Sequence, residues 1–382
     1  MDALPDPPPS RLAEMAARRF PLVARSQVIS RPLITRISQI EARAAQAQQR
    51  GPDSLLRAAE ALNLAALLAS DCGDADLART LCRQQFDLFH AARPHPAATT
   101  QLALQPVINL ARLHTRAGDG TTAFALLHQL FAAVTSNTTI DIDGHTADLS
   151  DLTRSDDDHR QIGIWLWEIL ISDGMRALAR ASQWESARTH AEQLRGIGRQ
   201  LGDGRQIAVL AHIFNDRPAD ALGLLHDSDL ADPWEQTVAA CLTILCQRVF
   251  GRPANDATTQ MIACYLELHH DLTLVTVLGR LGLAVIDLLH SDPDDHTAQI
   301  LQRLADVAAA PGGGYAARDL LQHPASTRLS AAQRDELTQT ARTAGLGIGS
   351  VPDELLTRLL TAVKISKAAL NSTFHDGRRA IA

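Results

Sequence analysis

Aromatic side chains are scarce in this sequence, 4% of 382 residues, and lysine is nearly absent, with Lys364 and Lys367 the only two. Apolar residues still make up 46% of the chain, supplied mostly by alanine and leucine. These lose little freedom in a helix and have no liking for pleated sheet, so the composition is helical. Positive charge is not in excess either: the formal net charge is −7 and the sequence pI about 6.1. Such a balance offers no overall attraction to a phosphate backbone, and direct nucleic-acid binding is not expected. The near-total use of arginine for positive charge fits a GC-rich genome or a preference for bidentate anion contacts.

Other absences narrow the field further. Residues 1–10 hold four prolines and no apolar core of a secretory leader, and read as a flexible tail. The longest apolar run, Leu272–Leu289, is broken by Arg280 and Asp287, which leaves no bilayer span and no expected membrane contact. The five cysteines, Cys72, Cys82, Cys241, Cys246 and Cys264, are odd in number and sit in apolar helical runs. They read as small buried hydrophobes in a reducing compartment, so a cytoplasmic location is expected. The sequence carries no His-Glu-x-x-His, no paired Cys-x-x-Cys and no Gly-x-Ser-x-Gly, so no catalytic residue, metal or cofactor is assigned.

What the chain does contain is helix after helix. A period of 3.6 residues runs over about Asp53–Asp71, Asp74–Ala92, Ala97–Ala117, Thr121–Val134, Asp157–Ala181, Trp184–Leu201, Arg205–Phe214 and Pro218–His226. It resumes over Pro233–Phe250, Ala257–His270, Leu272–His290, His296–Ala309, Ser330–Ala344 and Pro352–Leu370. Asp232-Pro233-Trp234-Glu235 and Ser330-Ala331-Ala332-Gln333 have the spacing of capping boxes. One stretch differs: Thr139 to Thr146 alternates apolar and polar residues around Asp143-Gly144, the pattern of a β-hairpin inserted between helices.

A chain of this length exceeds one ordinary core, so two domains or one elongated array are the options, and the helical composition favours the array. Four times a short polar turn precedes a small residue: Gly73-Asp74 before Ala78, Gly118-Asp119 before Ala123, Gln183-Trp184-Glu185 before Ala187, and Asp216-Arg217-Pro218 before Ala221. Alanine suits a place where paired helices approach closely. With Asn109-Leu110-Ala111-Arg112-Leu113-His114 ahead of Gly118-Asp119, and Ala123 and Leu127 after it, the units resemble tetratricopeptide repeats over about residues 55–226. The overall texture also resembles the helical sensor portions of actinobacterial regulators, without a helix-turn-helix at the front.

The resemblance implies an all-α fold: a tetratricopeptide-like α-solenoid of antiparallel helix pairs with one hairpin insertion, spanning 11–230 with the hairpin near 138–147, then a helical region over 231–382. It also implies that first-helix positions line a concave surface, here Glu60, Asn63, Ser70, Gln105, Arg112, Thr115, Ser172, Arg176, Asp203 and Gln206. Of these, Asn63, Gln105, Arg112, Arg176, Asp203 and Gln206 are the candidate groove, with Arg112 and Arg176 suited to a carboxylate or phosphate.

Secondary candidates each have two readings. Asp156, Asp157 and Asp158 beside His159 suit a metal or acid–base site, and equally the positive end of a helix. Trp165 and Glu168 share a helix face near Arg176 as a binding hot spot would, or the tryptophan fills core space. Arg195, Arg199 and Arg205 form a basic stripe, either an anion site or a solvated face. His269, His270 and Asp271 are neighbours that point about 100° apart on a helix and do not share a metal readily. Gly312-Gly313-Gly314 and Gly345-Leu346-Gly347-Ile348-Gly349 follow no strand and read as connections, with an anion nest ahead of Tyr315 the alternative for the first. Lys364, Lys367, Arg378 and Arg379 make the carboxyl end basic.

The expectation is a non-enzymatic binding module that recognises a peptide, a partner protein or a small signal, with self-association open. Two alternatives stand beside it: a component of a biosynthetic pathway that encloses a small substrate near Asp157, His159, Trp165 and Arg176, and a regulator acting through a DNA-binding partner.

Overall fold

A computed structural model describes residues 8–24, 29–49, 51–269, 274–289 and 295–379. Residues 1–7 of the expected tail, His270, Asp271, and the side chains of Arg378 and Arg379 lie outside the described set. The chain is mostly helical. In order come α1 (Pro9–Arg19), α2 (Leu33–Gln48), α3 (Ser54–Cys72), α4 (Ala75–Ala91), α5 (Ala97–Ala117) and α6 (Gly120–Thr135). The hairpin of β1 (Thr139–Ile142) and β2 (His145–Asp148) follows. Next are α7 (Asp156–Ile169), a π-helical turn (Leu170–Gly174), α8 (Met175–Arg180), α9 (Trp184–Gln193), α10 (Asp203–Phe214), α11 (Pro218–His226) and α12 (Pro233–Val249). The remainder is α13 (Asn255–Glu267), α14 (Val275–Leu288), α15 (Asp295–Ala309), α16 (Gly314–Leu321), a 3-10 turn (Pro324–Arg328), α17 (Ala331–Thr343) and α18 (Asp353–Arg379). No helix among the described residues is long and apolar enough to cross a membrane.

The four turns singled out in the sequence have one geometry. Each begins with a residue in the left-handed region: Gly73 at φ 98°, Gly118 at 91°, Ser182 at 57° and Asp216 at 59°. The next N–H reaches five residues back: Asp74 to Ala69 O, Asp119 to His114 O, Gln183 to Leu178 O and Arg217 to His212 O, all at 2.9 Å. That closes the helix end by occupying a carbonyl with no partner within the helix. The same residue then opens the next helix, and its carbonyl accepts from the N–H of Ala78, Ala123, Ala187 or Ala221. All four alanines are fully buried. In the first two turns the aspartate also caps, accepting from Leu77 N and Thr122 N at 3.0 Å.

The chain divides into two compact units, each made of two segments: Arg31–Gly174 with Gly345–Ala382, and Met1–Ser30 with Met175–Ala344. In the first, successive helices α2 to α6 pack in sequence, and α18 returns to lie on α2, α3 and α4. Arg358 of α18 holds Glu41 of α2 at 2.6 Å, and Phe374 meets Phe89 edge to face at 5.3 Å. The run 345–349 feeds this contact: Gly347 N and Gly349 N donate to Asp71 O and Cys72 O at 2.9 and 2.7 Å, satisfying carbonyls at the end of α3. These glycines close a helix end rather than hold a phosphate.

The hairpin forms at the expected place, with Asp143 (φ 52°) and Gly144 (φ 84°) in a turn whose twist suits paired strands. Ile140, Ile142 and Ala147 are buried, so the hairpin leans on its helical neighbours as a lone ribbon must. Arg83 of α4 and His114 of α5 both reach Asp143 at its tip, at 3.2 and 3.4 Å.

In the second unit the core helix is α14, apolar on nearly every side and buried from Val275 to Leu288 except at Arg280 and Asp287. It contacts α1, α12, α13, α15 and α16. Both polar exceptions have partners: Arg19 of α1 pairs with Asp287 at 2.7 Å and His323 does at 2.8 Å, and Arg280 lies 3.7 Å from Asp319. The Gly312-Gly313-Gly314 run packs tightly, since a Cβ on Gly313 would lie 2.3 Å from Ala308 O, and Gly314 N donates to Ser30 Oγ at 3.0 Å. Both sequence-legible capping boxes are present, at Asp232/Glu235 and Ser330/Gln333.

Candidate functional site

Helix spacing of three and four residues places Leu56, Glu60, Asn63, Leu67 and Ser70 on one face of α3. On α5 the same spacing aligns Gln105, Asn109, Arg112 and Arg116. Hydrogen bonds join the two faces. Asn109 Nδ2 donates to Asn63 Oδ1 at 2.5 Å, and Gln105 Nε2 and Arg112 Nη1 donate to Asn109 Oδ1 at 3.2 and 3.3 Å. Arg112 continues the row to the π-helical turn, chelating Asp173 Oδ2 through Nη2 at 2.7 Å and Nε at 3.2 Å. A polar row thus crosses α3, α5 and the π turn.

The π turn matters to that row. The sequence pattern reads as one continuous helix over Asp157–Ala181, whereas a wider turn at Leu170–Gly174 interrupts it. Such a turn adds about one residue to the helical register, so it changes which side chains face α5.

Two further groups flank the row. At the start of α3, Glu60 Oε2 accepts from Arg57 Nη1 at 2.9 Å and from Arg43 Nε of α2 at 3.1 Å. At its end, Asp71 has no exposed side-chain surface and pairs with Arg36 Nη2 at 2.7 Å and Arg116 Nη1 at 3.2 Å. Arg116 Nη1 also donates to Ser70 Oγ. Five guanidiniums therefore meet three carboxylates on this face, in a chain of net charge −7. Leu67 stays exposed in the stripe between them at 37%, and Leu56, at the start of α3 ahead of the first group, at 39%.

The other groove candidates belong to the second unit. Arg176 Nη2 pairs with Asp203 Oδ2 at 3.4 Å, and Asp203 is buried. Gln206 has no exposed surface: its Oε1 accepts from Leu22 N at 2.8 Å and its Nε2 donates to Leu22 O and Leu201 O at 2.6 and 2.8 Å. Its amide satisfies buried backbone groups of the segment after α1 instead of facing a ligand.

The secondary candidates do not converge. Ser155 caps α7 by accepting from Asp158 N, and its hydroxyl donates to Asp158 Oδ2 at 2.7 Å while Ala97 N donates to Asp158 Oδ1 at 2.8 Å; these two donors hold the carboxyl below the ordinary range. Asp157 engages Arg160 and Gln161, and half-buried His159 lies beside it in the first turn. Trp165 packs against the apolar core of its unit, and Glu168 is exposed. Arg195 is exposed, and Arg199 pairs with Asp229 at 3.2 Å. Arg205 is buried among Ser228 Oγ, Gly198 O and Leu224 O, and desolvation lowers its pKa. No group of three His, Cys, Asp or Glu among the described residues could hold a metal.

Sequence reasoning placed Glu60, Asn63, Ser70, Gln105 and Arg112 on this face but missed Asn109 and Arg116. Their signal was available, since both follow the Gln105 and Arg112 spacing along α5. Arg36, Arg43 and Asp173 had no such signal, because only packing of α2 and the π turn brings them in. No family model, no curated protein and no solved structure matches the chain.

Proposed function

We propose that the chain is a non-enzymatic binding module, a tetratricopeptide-like array of antiparallel helix pairs that presents its first helices to a segment of a partner protein in the cytoplasm. The single observation carrying this reading is the row Asn63, Asn109, Arg112, Asp173, which runs across successive first helices rather than within one. The fourfold turn geometry supports it, because identical turns repeat the same step between helices. Enclosure of a substrate near Asp157 and His159 has no comparable support, since Asp157 is exposed and engaged by its own helix.

The test immobilises the chain, purifies each protein retained from the source cell, and titrates it against wild type and Arg112→Ala. The expected result is a loss of affinity of about tenfold for Arg112→Ala, because the charge-assisted bonds by which Arg112 holds Asp173 and orders this face go with it, and none for the control Arg199→Ala in the other unit. Equal binding by wild type and Arg112→Ala would remove this face from consideration.

A further inference from the structure

Resting on the reading that this face of α3 and α5 is a binding surface, we propose that its occupant is an extended acidic peptide. The peptide carries two groups of carboxylates about six residues apart, with an aliphatic side chain between them. The proposal follows from which guanidinium edges are in use. Arg116 pairs through Nη1 alone, so its Nε and Nη2 have no protein acceptor among the described residues. Arg57 likewise engages Glu60 through Nη1 only, and Arg43 through Nε only. Each keeps two donors for a further oxygen, the arrangement that receives a carboxylate in bidentate fashion. These side chains are also accessible: 48% for Arg116, 35% for Arg57 and 34% for Arg43.

Arg112 is different. Its Nε and Nη2 chelate Asp173 and its Nη1 is on Asn109, so it orders the middle of the face rather than receiving a ligand.

The open donors thus lie at the two ends of α3, those of Arg43 and Arg57 at its start and those of Arg116 at its end. From Arg57 to Ser70, where Arg116 docks, the helix rises about 20 Å at 1.5 Å per residue. An extended chain covers that span in about six residues. Leu67 lies between the two ends, one turn from Ser70, and is the apolar surface an aliphatic side chain of the peptide would cover. Charge complementarity selects acid over base, because the protein's own carboxylates on this face are already each held by arginine.

The test is fluorescence anisotropy on the full chain with three labelled peptides of equal length. One has a pair of glutamates at each end, separated by five residues that include a central leucine. The second has the four glutamates together, and the third has glutamine in place of every glutamate. The first should bind at least tenfold more tightly than either other, weaken with added salt, and lose about tenfold in affinity with Arg57→Ala or with Arg116→Gln. Arg57 pairs only on the surface, so its variant keeps the fold even where removal of Arg116 does not; circular dichroism checks both. Equal binding of the glutamine peptide overturns acid recognition while leaving a peptide-binding face in place. Equal binding of the clustered peptide overturns the two-ended geometry, and no binding of any of the three overturns the proposal. The partner titration with Arg112→Ala decides separately whether the face binds protein at all.

Discussion

Asp71 and Arg36 meet at 2.7 Å, and the carboxylate of that pair has no exposed side-chain surface. Arg116 completes it from the other side at 3.2 Å, so one buried aspartate ties α2 and α5 to the end of α3. A carboxylate taken out of water needs such partners to stay charged. Replacing Asp71 with Ala strands two guanidiniums, but these keep some solvent. We expect a loss of about 2–3 kcal/mol, less than the 3–5 of a fully buried broken pair. Urea denaturation of the variant measures it; an unchanged midpoint would show that the carboxylate only decorates the junction.

The buried alanines of the four turns set how closely paired helices approach. Ala123→Leu inserts three heavy atoms where the alanine has no exposed surface, and should destabilise by about 1–3 kcal/mol. Ala125 lies on the same helix and is exposed, so Ala125→Leu should stay within about 0.5 kcal/mol of wild type. Comparable melting temperatures for the two variants would argue against close helix approach at Ala123.

Two helical glycines should respond with opposite signs. A Cβ on Gly204 would lie 2.2 Å from the carbonyl oxygen of Gly196, which backbone cannot yield cheaply. Gly204→Ala is expected to cost about 1–3 kcal/mol through overpacking. Around Gly223 in α11 nothing lies within 4 Å, and Gly223→Ala should stabilise by up to about 1 kcal/mol through helix propensity. Thermal denaturation of the pair reads both.

Asp287 predicts an acid limb to stability. Burial pushes its pKa up, but the hydrogen bond from His323 and the charge of Arg19 pull it further down, and the net position is below the ordinary value. Because the folded pKa lies below the unfolded one, the stabilisation is complete above the unfolded carboxylate range, near pH 4, and is lost as pH falls through the folded value. Wild type should therefore lose stability below about pH 4 more steeply than Asp287→Asn. Parallel acid titrations by circular dichroism would test this, and identical slopes would count against it.

The parts of the fold legible in the sequence are those fixed by neighbours along the chain. Gly73-Asp74 and Gly118-Asp119 announce their turns because a left-handed residue and a capping carboxylate are both local requirements, and Asp143-Gly144 announces the hairpin for the same reason. Gln206 shows the opposite case: its helical position suggested an exposed face, but a backbone segment 184 residues earlier lies over it. The pairing of Arg358 with Glu41, 317 residues apart, has no local signature either. The site was half readable for that reason. Asn63, Gln105 and Arg112 follow from helix period, whereas the open edges of Arg43, Arg57 and Arg116 emerge only once their first partners are placed.

The return of α18 onto α2, α3 and α4 has a consequence in time. Between the two segments of that unit the chain makes the roughly 170 residues of Met175–Ala344, which belong to the other unit. At synthesis rates of about 5–20 residues per second, the roughly 290 residues from the end of α4 to the end of α18 keep α2 to α4 waiting on the order of 15–60 s for their covering helix. During that interval the apolar surface that α18 will occupy faces the cell uncovered, so chaperone binding to nascent chains should be strongest after residue 174 emerges and should fall once α18 does.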